Sequence, residues 1–313
     1  LNKYDVIYID MNSICGLYKG YLKKDNKITG VKTLIDYLEY SIITDLRERE
    51  DFAECLKKHQ TENIGLLEAL SNLRKDLNAQ FIFIMDEWDL VYRDYRNDTQ
   101  LQEDFIDLLR GLFKSDDGQK CFALAYLTGI LPIKKYNSQS ALNCFDEYNM
   151  LAPVPYEEYF GFTEEEVAEI VKLPQCKISH QELKEWYEGY KLNGKDIYNP
   201  NSVVSSISDG ICQSYWSETS SNEEVVNLIN MNFDGIKDDI IHLIEGSTIQ
   251  FSCTTFQNDM VSIKTKDDIF SLLVCLGYLG CADDGGDYRL AYVPNKEIRT
   301  ALSSIVKSQP WFN

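Results

Sequence analysis

Apolar residues dominate three short segments, residues 4–10, 81–85 and 121–127, the second without interruption, and each closes on a polar or turn residue. Runs of this length, bounded in this way, predict strands buried on both faces of a parallel sheet. The spacers between them are helical. Residues 31–77 form a long, largely helical region, and Leu101, Phe105, Leu108, Leu109 and Leu112 recur at the spacing of one helix face across 101–113. Strands alternating with helices predict parallel crossover units, so the first half reads as α/β with 81–85 as its central strand.

After Tyr136 the pattern changes. Pro153 and Pro155 interrupt regular structure, and Thr163 followed by Glu166 reads as a capping box that opens a helix. A second helix fits 179–187, stopped near Gly189, and a third starts after Asn199 with Pro200 in its first turn. Ser221 and Glu224 repeat the capping-box spacing. Residues 151–232 therefore read as a helical module behind a core over 1–150. Residues 233–313 read helix, strand, helix, hairpin, helix, with the hairpin turning at Asp283-Asp284-Gly285-Gly286-Asp287. That order resembles a winged helix, although the acidic wing disfavours a wing laid on nucleic-acid phosphate.

The central run carries the chemistry. Residues 81–85 lead straight into Asp86 and Glu87, and in open α/β sheets ligands sit just beyond the carboxyl ends of the strands. A carboxylate pair there suits nucleotide hydrolysis. Asp86 would hold a Mg²⁺ shell on the phosphates, and Glu87 would orient or deprotonate the attacking water. This is the Walker B pattern. Its usual partner, G-x-x-x-x-G-K-[ST], occurs nowhere in the 313 residues. The competing reading is structural: buried strands often end in acids, with Asp89 capping the next helix.

Composition narrows the setting. Hydrophobic residues make up 44% of the chain and aromatics 12%, which excludes a disordered polymer. The net charge of −19 excludes a broad nucleic-acid-binding surface, so nucleic acid would have to meet a local patch or another domain. Nine cysteines without a C-x-x-C pair point to a reducing compartment, and the three scattered histidines show no zinc-ligand spacing. No signal peptide precedes the first strand, and the longest apolar stretch, 269–281, is too short and glycine-punctuated to span a bilayer. A cytoplasmic protein without membrane contact is expected.

Several motifs occur in a fixed order: Leu127-Thr128-Gly129-Ile130-Leu131-Pro132-Ile133-Lys134-Lys135-Tyr136, Phe160-Gly161-Phe162-Thr163-Glu164-Glu165-Glu166-Val167, Trp186-Tyr187-Glu188-Gly189-Tyr190 and Tyr198-Asn199-Pro200. Tyr215-Trp216-Ser217-Glu218-Thr219 and Tyr292-Val293-Pro294-Asn295-Lys296-Glu297-Ile298 follow. Together they resemble the bacterial AAA-ATPase-like family, whose members commonly carry a C-terminal PD-(D/E)xK nuclease-like domain. The resemblance spans nearly the whole chain and implies a P-loop NTPase-like parallel sheet that takes ATP and Mg²⁺. Family members place a phosphate-binding loop ending in Gly-Lys-Ser or Gly-Lys-Thr upstream of the strand matching 4–10, and this chain begins at that strand. It ends about where the nuclease-like region would begin. In the fold so implied the phosphate-loop strand lies inside the sheet. Without it two rows of buried backbone groups lack partners, at roughly 1–3 kcal/mol for each group. Self-association or another chain segment would complete the sheet, or the sheet is rearranged.

The resemblance assigns Thr128 a role, and the remaining candidates are read from the residues themselves. Thr128 matches the place of a polar sensor near the γ-phosphate, the alternative being a turn-forming Thr-Gly pair. Arg93 and Arg96 would approach a nucleotide across a subunit boundary as arginine fingers, or else are solvated helix residues. Trp186, Tyr187, Tyr190 and Tyr198 read as packing of the helical module against the core. The expected function is an ATP-binding and hydrolysing regulatory ATPase that couples nucleotide state to an output domain, with its phosphate loop missing from this chain. The alternative is a non-catalytic scaffold that keeps the fold. A free-standing nuclease is disfavoured because no P-D-x(n)-[DE]-x-K cluster is visible.

Overall fold

A computed structural model describes residues 3–24, 27–59, 65–95, 97–130, 142–216, 226, 229, 235–254, 256, 263, 265–283 and 287–307. The chain divides into two compact units, Leu1–Asp146 and Glu147–Asn313.

In the first unit β1 (Asp5–Asp10) runs directly into α1 (Met11–Leu22), followed by α2 (Leu34–Leu46), α3 (Glu50–Lys58) and α4 (Leu66–Leu77). Then come β2 (Phe81–Asp86), α5 (Leu90–Asp94), α6 (Thr99–Lys114), α7 (Asp116–Cys121) and β3 (Phe122–Leu127). The strands are parallel in the order β1-β2-β3, so the acidic run is central, as its position between the other two predicts. Local chemistry sets the boundaries. Asp10 is both the last residue of β1 and the cap of α1, Thr33 and Asp36 form a capping box at α2, and Asn78 ends α4 in the left-handed conformation.

One face of this sheet is core. Ile7, Ile9, Phe81, Phe83 and Met85 are buried, with Phe52 of α3 edge-on to Phe81 at 5.8 Å and Phe113 of α6 edge-on to Phe83 at 5.2 Å. The other face is open. Val6, Ile82 and Leu124 form one cross-strand row and Tyr8, Ile84 and Tyr126 the next. Val6, Tyr8, Leu124 and Tyr126 are 58%, 63%, 55% and 59% exposed. The expectation of strands buried on both faces is therefore corrected. The runs do not alternate because both faces are apolar, yet no described element covers the second face. Nor does the outer edge of β1 or β3 pair with another described strand.

The second unit contains β4 (Phe162–Thr163), α8 (Glu164–Ile170), α9 (His180–Tyr187), β5 (Tyr190–Leu192), β6 (Lys195–Tyr198) and α10 (Pro200–Asp209). Capping boxes at Thr163/Glu166 and Ser179/Glu182 start α8 and α9, and Asn199 caps α10 ahead of Pro200. The purely helical reading of this stretch is corrected by an antiparallel sheet in the order β4-β6-β5. Its hairpin turns at Asn193 and Gly194, both at positive φ (50° and 80°), which suits a tight two-residue turn. The Ser221/Glu224 box lies outside the described residues. Farther on, α11 (Ile236–Ile244), β7 (Ile249–Ser252), α12 (Lys266–Cys275), β8 (Gly280–Asp283), β9 (Tyr288–Tyr292) and α13 (Lys296–Lys307) follow the expected order, with β7-β9-β8 antiparallel. Tyr190, Leu192 and Ile197 share one core with Ile236, Phe251, Leu273 and Leu302, while Tyr187 and Tyr198 pack with Val167, Leu183 and Val203 of the same unit. No described helix is long and apolar enough to cross a membrane.

Candidate functional site

The three parallel strands end on one edge, and that edge gathers the acids. Asp10 and Asp86 are register partners on neighbouring strands, about 4.8 Å apart along the hydrogen-bonding direction. Asp10 accepts from the backbone N–H of Asn12 (2.9 Å) and from Ser13 Oγ (2.6 Å). The Ser13 bond holds its carboxyl below the usual carboxylate range.

Asp86 is tied on one oxygen. Its Oδ1 accepts the backbone N–H of Glu87 (3.0 Å) and the Thr128 hydroxyl, while Oδ2 takes no hydrogen bond among the described residues. Thr128 is placed by the sheet itself: its N–H bonds Met85 O (2.9 Å) and its carbonyl accepts from Trp88 N (3.0 Å). Backbone pairing therefore continues one residue past β3 and carries the hydroxyl to the acid. Gly129 is required for a different reason from turn formation. A Cβ there would stand 2.5 Å from Asp89 Oδ1 and 2.7 Å from Trp88 Cδ1, so only glycine lets this loop lie against the Trp88-Asp89 segment.

Glu87 leaves the strand with φ of 55°, a left-handed conformation that L-residues adopt at a cost. Its carboxylate is ion-paired with the Arg93 guanidinium. Arg93 Nε also lies 3.1 Å from Asp89 Oδ2, and that oxygen accepts from Ile130 N at 3.1 Å. Asp89 is fully buried and makes no side-chain capping bond to α5, so the helix-cap reading of this residue gives way to one of a buried tether. A shallow, open depression bounded by Arg93, Asp94, Tyr95, Asn97 and Asp98 lies beside the group.

The structure thus brings together Asp86, Glu87, Thr128 and Arg93. Arg93 turns inward to Glu87 and Asp89 and is only 18% exposed, so it is neither a solvated helix residue nor extended towards a neighbour in this conformation. Arg96, Lys134 and Lys135 lie outside the described residues. Asp10 and Ser13 join the constellation with no role expected of them from the sequence, and Asp89, expected as a helix cap, joins it as the buried partner of Arg93. Asp10 carried a readable signal, an acid closing an apolar run as Asp86 does.

No family model matches the chain. An uncharacterized protein in the vnfD 5' region of Azotobacter chroococcum mcd 1 is 26% identical over 151 residues, which is 47% of this chain. The match spans 28% of that protein's length. Among solved structures, the Aeropyrum pernix ORC2 protein, determined as ADPNP-ADP complexes, aligns over 97% of this chain and 88% of its own. The identity is 11% and the TM-score 0.30, too low to assign a common fold.

Proposed function

We propose that this chain supplies the hydrolytic edge of an ATP-dependent regulatory module of the AAA-like class, with the phosphate-binding loop contributed from outside these 313 residues. The observation that supports it most is the meeting of Asp86, Glu87 and Thr128 at the carboxyl edge of the central parallel strand. Hard carboxylate oxygens fit Mg²⁺, and Asp86 would hold the ion while Thr128 and the Glu87 amide keep its Oδ1 in place. Bound Mg²⁺ would neutralise charge on the phosphates. Glu87 would orient or deprotonate the attacking water, and Thr128 would sense the γ-phosphate through its bond to Asp86. The Arg93 pair keeps Glu87 engaged until nucleotide arrives, and Arg96 is reserved as a finger across a subunit boundary. The open apolar face also favours this reading, because parallel sheets are covered on both faces and a further βα unit carrying the loop would cover this one. We read residues 233–313, which run from α11 to α13, as a winged-helix-like domain that relays nucleotide state to an output, in a cytoplasmic setting.

The scaffold reading is favoured by one feature, the absence of G-x-x-x-x-G-K-[ST] from the sequence. Two measurements separate the readings. The chain alone should release no phosphate from Mg·ATP, since nothing holds the β- and γ-phosphates in line. Joined to an upstream segment bearing a Gly-Lys-Ser or Gly-Lys-Thr loop, Glu87→Gln should bind ATP normally and hydrolyse it at least about 100-fold more slowly. Asp86→Ala should instead weaken Mg·ATP binding. Equal, mild effects of both substitutions would leave the scaffold.

A further inference from the structure

The opposite edge of the first unit holds a second group of ligating side chains. Cys55 and His59 lie one helical turn apart, on α3 and its cap, and Asp76 lies in the last turn of α4, which packs beside α3. The thiol, imidazole and carboxylate ligand atoms all lie within 4.8 Å of one another, and His59 Nε2 is 3.0 Å from Asp76 Oδ2. The Phe52-Phe81 contact fixes α3 at the amino end of β2. Five residues at about 3.3 Å each separate Phe81 from Asp86, so the two groups are about 17 Å apart along the strand.

We propose that Cys55, His59 and Asp76 bind one divalent transition-metal ion of the zinc class, leaving a fourth position to solvent. Tetrahedral bonds of about 2.0–2.3 Å put ligand atoms roughly 3.3–3.8 Å apart, so small side-chain rotations close the group on an ion. The donors select it. Thiolate sulfur and imidazole nitrogen suit Zn²⁺ and Co²⁺, whereas Mg²⁺ and Ca²⁺ take oxygen. Residues i and i+4 share a helix face, which sets the Cys55 and His59 donors side by side. Cys55 is buried while His59 and Asp76 are reached from solvent, which gives the ion an entry side. The thiol now donates to Asn72 O at 3.7 Å, and burial, then the Asp76 charge, push its pKa up. Binding sends that proton to solvent and displaces the exposed Lys58 ammonium, 2.7 Å from Asp76 Oδ2. The scattered histidines gave no warning, because the third ligand lies 17 residues beyond His59.

The test is Co²⁺ titration of the 313-residue chain under a phosphine reductant, read by thiolate-to-cobalt charge-transfer absorption and competed with Zn²⁺. One equivalent should bind and be displaced by Zn²⁺. Cys55→Ser should lose the band, His59→Ala and Asp76→Asn should each weaken binding at least about tenfold, and Lys58→Ala should bind at least as tightly as the parent chain. Circular dichroism checks that Cys55→Ser folds; if it does not, the two partly exposed positions decide. Absence of the band, its survival in folded Cys55→Ser, or unchanged affinity in His59→Ala and Asp76→Asn overturns the proposal.

Discussion

Glu87 is the position where backbone strain and proposed chemistry coincide, and the strain can be isolated. At φ of 55° an L-residue is disfavoured by about 1–2 kcal/mol, a penalty glycine escapes. Glycine instead gains unfolded-chain freedom, which costs about 0.4–1 kcal/mol of stability. Comparing Glu87→Gly with Glu87→Ala removes the carboxylate and its Arg93 pair in both proteins, so only the backbone term differs. Glu87→Gly should be the more stable by about 0.5–1 kcal/mol. With a urea m-value of about 2 kcal/mol/M, the midpoint rises by about 0.3–0.5 M relative to alanine. Tryptophan fluorescence follows the transition, since neighbouring Trp88 is buried and exposed on unfolding. Coincident midpoints, or a higher one for alanine, would refute the strain. A glycine variant that outlasts alanine would mark Glu87 as a side chain kept in a disfavoured backbone, which is expected where an atom must be aimed.

Gly129→Ala should lose about 1–3 kcal/mol, because its Cβ would press on Asp89 and Trp88 at 2.5–2.7 Å; an unchanged thermal midpoint would show that the loop yields freely. Arg93→Ala removes one ion-pair partner from the fully buried Asp89 and should cost about 3 kcal/mol in urea unfolding, with a loss under about 1 kcal/mol refuting the tether. Glu297 in the second unit is buried, and burial raises its carboxyl above 4.5 while Oε1 accepts from Ser202 Oγ (2.9 Å) and Tyr215 N (2.8 Å). The folded state holds this proton more tightly than the unfolded chain, so its stabilising contribution is complete below the ordinary carboxyl range and is lost as pH rises through the raised value. Glu297→Gln keeps the acceptor without titrating, so thermal melts across pH should decline less from 4.5 upward than in the parent chain; identical slopes would refute the assignment.

The sequence by itself determined the local elements. Apolar runs at 81–85 and on either side gave the strands, Thr163/Glu166 and Ser179 gave helix starts, and Asn199-Pro200 opened α10, because caps and periodicity act within a few residues. It also marked Asp86, Glu87 and Thr128 as strand-end groups facing one edge. The hairpin at Asn193-Gly194 has its turn dipeptide as the only strong local signal, because strands of three and four residues have little periodicity. Other features were decided only by tertiary structure. Register, not spacing, sets Asp10 beside Asp86, 76 positions on, and only the path of α5 turns Arg93 back onto Glu87 and Asp89. An apolar run is the same whether one face of its strand is covered or two, so the open face bearing Tyr8 and Tyr126 could not be read from the sequence. Likewise Cys55, His59 and Asp76 become neighbours through the packing of α3 on α4, a long-range choice made by buried area rather than by any short motif.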